Sequence, residues 1–134
     1  MALPGIDFPG LGCGLAILRD GKILLCRRLK APEAGHWSIV GGKVDHMELA
    51  QDAARREAEE ESGLSIHSTR FLCVSEQIEA DRQHWISLIY VTENFSGEPR
   101  LTEPDKLSDI RWFDLTALPQ PLSRFAADAV RALA

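Results

Sequence analysis

The sequence predicts an α/β domain in which a mixed β-sheet is combined with two helices, and three observations carry that prediction. A turn signal, Asp20-Gly21, separates two apolar runs, Leu11 to Leu18 and Ile23 to Cys26, as a β-hairpin requires. A narrow small-residue stripe, Leu49, Ala50, Ala53, Ala54 and Ala58, marks a helix whose backbone can sit close against a sheet. Near the end of the chain Leu122, Phe125, Ala126, Ala129, Val130 and Leu133 recur at helical spacing.

Taken in order, the second strand of the hairpin ends in Arg27 and Arg28. A loop containing Pro32 and Gly35 then leads to a short β-prone piece, Trp37 to Val40, expected to stop at the flexible pair Gly41-Gly42. The first helix is expected from about Glu48 to Ser62, with Asp45 and Glu48 at capping-box spacing upstream and Gly63 closing it as a C′ residue. Ile66 to Glu76 and Gln83 to Thr92 read as strands joined near Ala80 to Arg82, the second core-facing through Trp85, Leu88, Ile89 and Val91. After a Pro-rich polar loop come a last strand, Ile110 to Phe113, and a terminal helix, Pro121 to Ala134. Neither an internal repeat nor a low-complexity segment interrupts the chain, so one domain spanning residues 1–134 is expected.

Composition narrows the function classes. With 134 residues, 45% hydrophobic and 26% charged, the chain is within reach of a real core and is neither disordered, collagen-like nor a coiled coil. A formal charge of -5 is a poor basis for binding a nucleic-acid backbone over a broad surface, so no nucleic-acid partner is expected. Cys13, Cys26 and Cys73 are odd in number and form no CxxC pair, which points away from a disulfide framework or zinc knuckle and toward a reduced, cytoplasmic protein. No basic leader and no apolar run of membrane-spanning length is present, so neither secretion nor membrane insertion is expected.

One stretch conflicts with stability alone. Arg56-Glu57-Ala58-Glu59-Glu60-Glu61 loads acid onto the C-terminal turns of the first helix, where the macrodipole is negative and a cation would be favoured. Glu57, Glu60 and Glu61 fall at i, i+3 and i+4, an arc of roughly 100° on a helix. They are therefore expected to converge on one patch. Such a cluster repels itself unless a cation compensates, and its all-oxygen chemistry suits Mg²⁺ or Mn²⁺. An arbitrary acidic run is usually a solvated face, but here the surrounding residues decide otherwise. Gly42, Glu48, Arg56-Glu57-Ala58, Glu60-Glu61 and Gly63-Leu64 complete the pattern G-x5-E-x7-R-E-U-x-E-E-x-G-U, with U an apolar residue, at every defined position.

Through this motif the chain resembles the Nudix (MutT-related) hydrolases. The strand-turn-strand entrance, Leu24-Leu25-x-x-Arg28, the approach Trp37-x-x-Val40-Gly41-Gly42 and the terminal helix also sit where that family has them. The resemblance implies a Nudix α/β/α sandwich with a mixed β-sheet between helices. It also implies Mg²⁺-dependent cleavage of a nucleoside diphosphate linked to another moiety, with water attacking one phosphorus. Residue by residue, Glu57, Glu60 and Glu61 match the metal-binding carboxylates, the Gly42 carbonyl a main-chain ligand, and Arg56 and Glu48 supporting residues. Glu61 and Glu57 head the candidates for general base. Glu103, in Thr102-Glu103-Pro104-Asp105-Lys106, resembles an E-P-x-K stretch of some relatives that adds a ligand, a base or a substrate contact. Arg28, and behind it Arg27, are candidates for the substrate phosphates, and strand alternation admits only one of them to the cleft. Trp37, Trp85 and Phe113 are read as core, and His36, His46, His67 and His84 as surface residues. The sequence departs from the family where Val40 replaces a proline before the two glycines and where Met47 replaces a glycine before Glu48.

The leading expectation for substrate is a nucleoside triphosphate, released as monophosphate and pyrophosphate. It rests on the E-P-x-K resemblance, the short chain and the absence of other subfamily signatures, including a proline in Ile78 to Arg82. The alternatives are ADP-ribose, a nucleotide sugar or a dinucleotide as substrate, or a Nudix-like sensor that binds nucleotide without cleaving it. The acidic charge weighs against capped RNA. The family also leaves a homodimer open.

Overall fold

The structure is a computed structural model that describes residues 1–31, 33–79 and 81–134. Pro32 of the expected loop and Ala80 of the expected connection lie outside the described residues.

The hairpin forms as read. β1 (Gly10–Arg19) and β2 (Lys22–Arg28) pair through Leu18 with Ile23 and Arg19 with Lys22. Asp20 and Gly21 both take positive φ, 53° and 76°, as a two-residue turn of this hand needs. β1 then becomes the centre of a mixed sheet: β6 (His84–Ser96) runs parallel to it from Gly10 beside Trp85 to Ile17 beside Thr92, and β4 (Val40–Lys43) runs antiparallel on its other edge. β5 (Ser65–Ile78) lies antiparallel to β6, while β2 also carries β3 (Trp37–Ser38) and β7 (Leu107–Asp114).

Alternation along β1 gives the sheet two buried faces. Leu15 and Ile17 pack with Ala53, Ala54 and Ala58 of α1 (Ala50–Ser62), whose small side chains allow the close approach. Ala16, with Ile89 and Val91, packs toward Ala126 and Ala129 of α2 (Arg124–Leu133). The mixed sheet therefore lies between two helices.

Several boundaries differ from expectation. The β-prone piece Trp37 to Val40 is divided, β3 pairing with β2 and β4 with β1, while β6 continues to Ser96 and β7 begins at Leu107. The strand does not stop at Gly41-Gly42 but runs through both, with Gly41 opposite Gly14 and Gly42 opposite Cys13. Here glycine answers crowding, since a Cβ on Gly41 would lie 2.3 Å from the Cys13 carbonyl oxygen. α1 begins at Ala50 rather than Glu48, because the Glu48 carboxylate turns back to accept the Asp45 N–H at 3.2 Å ahead of the helix. α2 begins after Ser123, whose hydroxyl caps it by accepting the Ala126 N–H at 2.9 Å. The preceding residues are engaged elsewhere: Pro121 accepts the Trp37 N–H, and Ser123 donates to the Trp37 carbonyl, both at 2.8 Å.

Two loop conformations bear on the motif. Gly63 closes α1 with φ 74° and donates its N–H to the Glu59 carbonyl, the left-handed cap that a glycine adopts without penalty. Met47, ahead of Glu48, takes φ 70°, a left-handed conformation that glycine favours, with a 91% exposed side chain.

Candidate functional site

β4 and the C-terminal half of α1 meet closely enough that a Cβ on Gly42 would fall 2.4 Å from the Glu57 carboxyl carbon. Around that contact Arg56 gathers the acids. Its Nε and Nη2 donate to the two Glu48 oxygens at 2.8 and 2.9 Å, Nη1 donates to Glu57 Oε1 at 2.9 Å and to Glu60 Oε1 at 3.4 Å, and Nη2 reaches the Lys43 carbonyl at 3.3 Å. Spacing alone singles out Glu60, one turn on, as the partner of Arg56. The shorter bonds go to Glu48 and Glu57, because Glu48 precedes the helix and folds back over it. Arg56 correspondingly holds the Glu48 carboxyl below its ordinary range.

Glu61 has a different environment. It is 9% exposed, and its Oε1 accepts the Gly41 N–H at 2.8 Å. Burial pushes its carboxyl up to about 8, opposed by that N–H; Glu57 and Glu103 add repulsion, and Arg28 counters them. Burial also raises Glu57, against the pull of Arg56. The Gly42 carbonyl accepts the Cys13 thiol at 3.6 Å. Beside these groups opens a cavity of about 380 Å³, lined by Glu61, Gly41, Gly42 and Arg28 together with Trp85, Ser87 and Gln77.

A family model, the NUDIX domain, matches residues 10–133. The chain belongs to the Nudix family of hydrolases. It is 33% identical over 113 residues to the ADP-ribose pyrophosphatase of Methanocaldococcus jannaschii, a match covering 84% of this chain and 66% of that protein. It is 31% identical over 115 residues to the oxidized purine nucleoside triphosphate hydrolase of Danio rerio, covering 85% of this chain and 70% of that one. The crystal structure of a MutT NUDIX hydrolase from Burkholderia pseudomallei superposes with a TM-score of 0.91 at 46% identity, covering 94% of this chain and 98% of the other. The α/β/α sandwich expected of a Nudix protein is the fold observed. Among the described residues no helix is long and apolar enough to cross a membrane.

Within this Nudix site the three helix carboxylates are not gathered as one ready chelate; among the described residues no group of three or more His, Cys, Asp or Glu is arranged to hold a metal ion. Arg56 draws Glu57 and Glu60 to itself, while Glu61 turns to Gly41. The donor chemistry nonetheless fits the divalent ions that Nudix hydrolases generally use, because the set is all oxygen and the acid at Glu57 and Glu61 is only partly offset by Arg56 and Arg28.

Of the arginine pair, Arg28 lines the cavity, whereas Arg27 turns outward, donating Nε–H to the Gly35 carbonyl at 3.2 Å. Arg27 thus loses its candidacy for phosphate contact through the alternation that admits Arg28. Glu103 lies close enough to raise Glu61 but does not line the cavity, and it pairs with Lys106 at 3.5 Å. Trp37 is buried edge-on to Phe113, with ring centroids 4.9 Å apart, as a core pair. Trp85 departs from the core reading and forms part of the cavity wall. So do Leu3, Pro4 and Ile6, whose segment carries no periodic signal in the sequence. Cys13 and Cys26 also border the cavity, but burial pushes Cys13 up to about 12 and Cys26 higher still, so both remain protonated thiols rather than nucleophiles.

Burial of Glu61 predicts a pH-dependent stability in the metal-free protein. A carboxyl held near 8 in the fold and 4.5 outside it keeps a proton that the unfolded chain has lost, so stability falls as pH rises between those values. With chelator present, the thermal midpoint is expected to drop between pH 5 and pH 9 by the equivalent of roughly 3 kcal/mol, and Glu61→Gln to flatten the profile. Millimolar Mg²⁺ should restore the midpoint more at pH 8 than at pH 5. A wild-type profile as flat as that of the variant refutes the assignment.

Proposed function

We propose that the protein is a pyrophosphohydrolase that cleaves a nucleoside triphosphate to its monophosphate and pyrophosphate, with water attacking one phosphorus of the α–β bridge and the bridging oxygen departing with the other. The observation that carries this reading is that Glu61, Gly42 and Arg28 line one cavity, with Gly42 against the Glu57 carboxylate that Arg56 holds. Bound at Glu57, Glu60, Glu61 and the Gly42 carbonyl, Mg²⁺ or Mn²⁺ would supply the charge neutralisation that phosphoryl displacement requires. Arg28 offers a guanidinium to the phosphates, whose geometry it matches as a fork. Glu61 accepts the proton of the attacking water at Oε2, while the Gly41 N–H holds Oε1 and so fixes the carboxylate plane. Glu48 and Arg56 act as positioning residues, the first holding the guanidinium that in turn holds Glu57.

The triphosphate reading draws on the E-P-x-K stretch around Glu103, which lies beside Glu61, and agrees with the name of the Danio rerio relative, an oxidized purine nucleoside triphosphate hydrolase. A second reading, a diphosphate-linked compound such as ADP-ribose, is favoured by the name of the Methanocaldococcus jannaschii relative. A Mg²⁺-dependent screen against nucleoside triphosphates, ADP-ribose, nucleotide sugars and dinucleotides, with products resolved by chromatography, separates them. Monophosphate plus pyrophosphate from a triphosphate is expected. Cleavage confined to diphosphate-linked compounds replaces the substrate class, and nucleotide binding without cleavage replaces catalysis by sensing.

A further inference from the structure

Building on a nucleotide as ligand of this cavity, we propose that Gln77, Ser87 and Trp85 form its base-recognition site and select a base bearing an exocyclic amino group. Ser87 is 5% exposed and lines the cavity, yet its hydroxyl meets no hydrogen-bond partner among the described residues. The other buried serines are all satisfied: Ser123 donates to Ser38 at 2.8 Å, Ser62 to the Ala58 carbonyl at 2.6 Å and Ser75 to Asp128 at 2.7 Å. That hydroxyl opens onto the cavity, where it is free to bond a ligand. The neighbouring strand keeps it accessible, since Gly12 lies opposite Ser87 and a Cβ there would come within 2.5 Å of Ser87 Oγ.

Gln77 supplies direction. It is 7% exposed and lines the same cavity, and its Nε2 donates to Glu33 Oε1 at 2.8 Å. The Glu33 carboxylate is itself anchored by the Arg124 N–H, 3.1 Å from both oxygens. A carboxylate only accepts, so turning the amide over would set its oxygen against Glu33. The orientation is therefore fixed, and Oε1, which no donor among the described residues reaches, is left as an acceptor for the ligand. Trp85 adds a flat wall whose angle is set by donation of Nε1–H to Gln83 Oε1 at 2.9 Å, with Gln83 Nε2 held by Asp81 Oδ2 at 3.0 Å.

An aromatic plane beside two buried polar groups fits a planar heterocycle. The serine hydroxyl can donate or accept and so discriminates little, whereas an acceptor-only amide favours an amino group and opposes an oxo group at the same edge. The comparison that isolates this is between bases differing at that substituent, adenine with hypoxanthine and cytosine with uracil.

Wild-type kcat/KM for ATP against ITP and for CTP against UTP is expected to favour the amino member of the better-used pair by about tenfold, carried mainly in KM. Gln77→Met should bring that ratio below about threefold, by weakening the amino substrate and by relieving the repulsion that the amide oxygen sets against the oxo substrate. Glu33→Gln, which leaves Gln77 in place but frees its amide to turn, should also lower the ratio, an effect that a merely structural role would not produce. Calorimetric binding of the matching 5′-monophosphates reads the same preference without turnover. Absent hydrolysis with the amino preference intact overturns the proposed reaction and supports this base site. Binding or hydrolysis without the preference, or with a preference that survives both variants, overturns the base site.

Discussion

Glu60→Gln is expected to remove most of the turnover and leave the fold where it is. Glu60 sits near the C-terminus of α1 with its side chain 50% exposed, and among the described residues its one side-chain hydrogen bond is the 3.4 Å approach to Arg56 Nη1. An exposed i,i+4 pair of that kind contributes about 0.3–0.5 kcal/mol, and removing a negative charge from the negative end of the helix dipole offsets it. The thermal midpoint should therefore move by no more than a degree or two. In the proposed reaction, by contrast, this carboxylate is one of the oxygens that compensate charge on the phosphates, and loss of such a preorganised group costs about 10²–10³ in rate. Glu59 provides the internal control. It lies next to Glu60 on the same helix, but its Oε2 accepts the Ile66 N–H at 2.9 Å and pairs with Arg55, so it ties α1 to β5 instead of facing the site. Glu59→Ala should reverse the pattern, lowering the midpoint by a few degrees through loss of roughly 1 kcal/mol while keeping kcat. Equal turnover in wild type and Glu60→Gln at saturating Mg²⁺ would remove Glu60 from the site.

How legible this molecule is from its sequence depends on whether the relevant residues are near one another along the chain. The Nudix motif is local: the helix, its Gly63 cap and the acids at i, i+3 and i+4 all follow from spacing within one element. The selection of Arg28 over Arg27 is local too, since alternation in β2 permits only one to face inward. The partners of Arg56 are less accessible, because Glu48 lies outside the helix and reaches Arg56 through a turn that helical spacing does not describe. The cavity wall is hardest to read. Leu3, Gln77, Trp85 and Phe125 are brought together by the parallel pairing of β1 with β6 and by the docking of α2, contacts between distant segments that no local pattern encodes. Trp85 is apolar and lies in a strand, so it reads as core until Gly5 and Gly10, which leave room for its ring, are placed beside it. The strand through Gly41-Gly42 misleads for a related reason: glycine pairs read as breaks, yet here both lack side chains because neighbouring elements occupy the space.

Those two glycines should fail in opposite ways when each is replaced by alanine. At Gly41 a Cβ would lie 2.3 Å from the Cys13 carbonyl oxygen and 3.0 Å from the Gly14 Cα, both backbone atoms of β1 in the centre of the sheet. Neither can retreat without separating β4 from β1, and β4 also supplies the N–H that holds Glu61. Overpacking against immovable neighbours costs about 3 kcal/mol or more, a large share of the 5–15 kcal/mol that stabilises a typical domain. Gly41→Ala is therefore expected to lower the thermal midpoint by about 10 °C or to yield insoluble protein. At Gly42 the new Cβ would meet the Glu57 carboxyl group at 2.4 Å, the far end of a flexible side chain that can rotate aside. Stability should change by less than about 1 kcal/mol, because moving Glu57 gives up only its bond to Arg56 and relieves its burial. Turnover should fall by about 10² or more, since the displaced carboxylate belongs to the proposed metal-binding set. Thermal denaturation and kcat/KM measured on both variants test the pair together. A stable Gly41→Ala protein would show that β1 and β4 can part without loss, and a fully active Gly42→Ala enzyme would show that Glu57 is not needed where the structure places it.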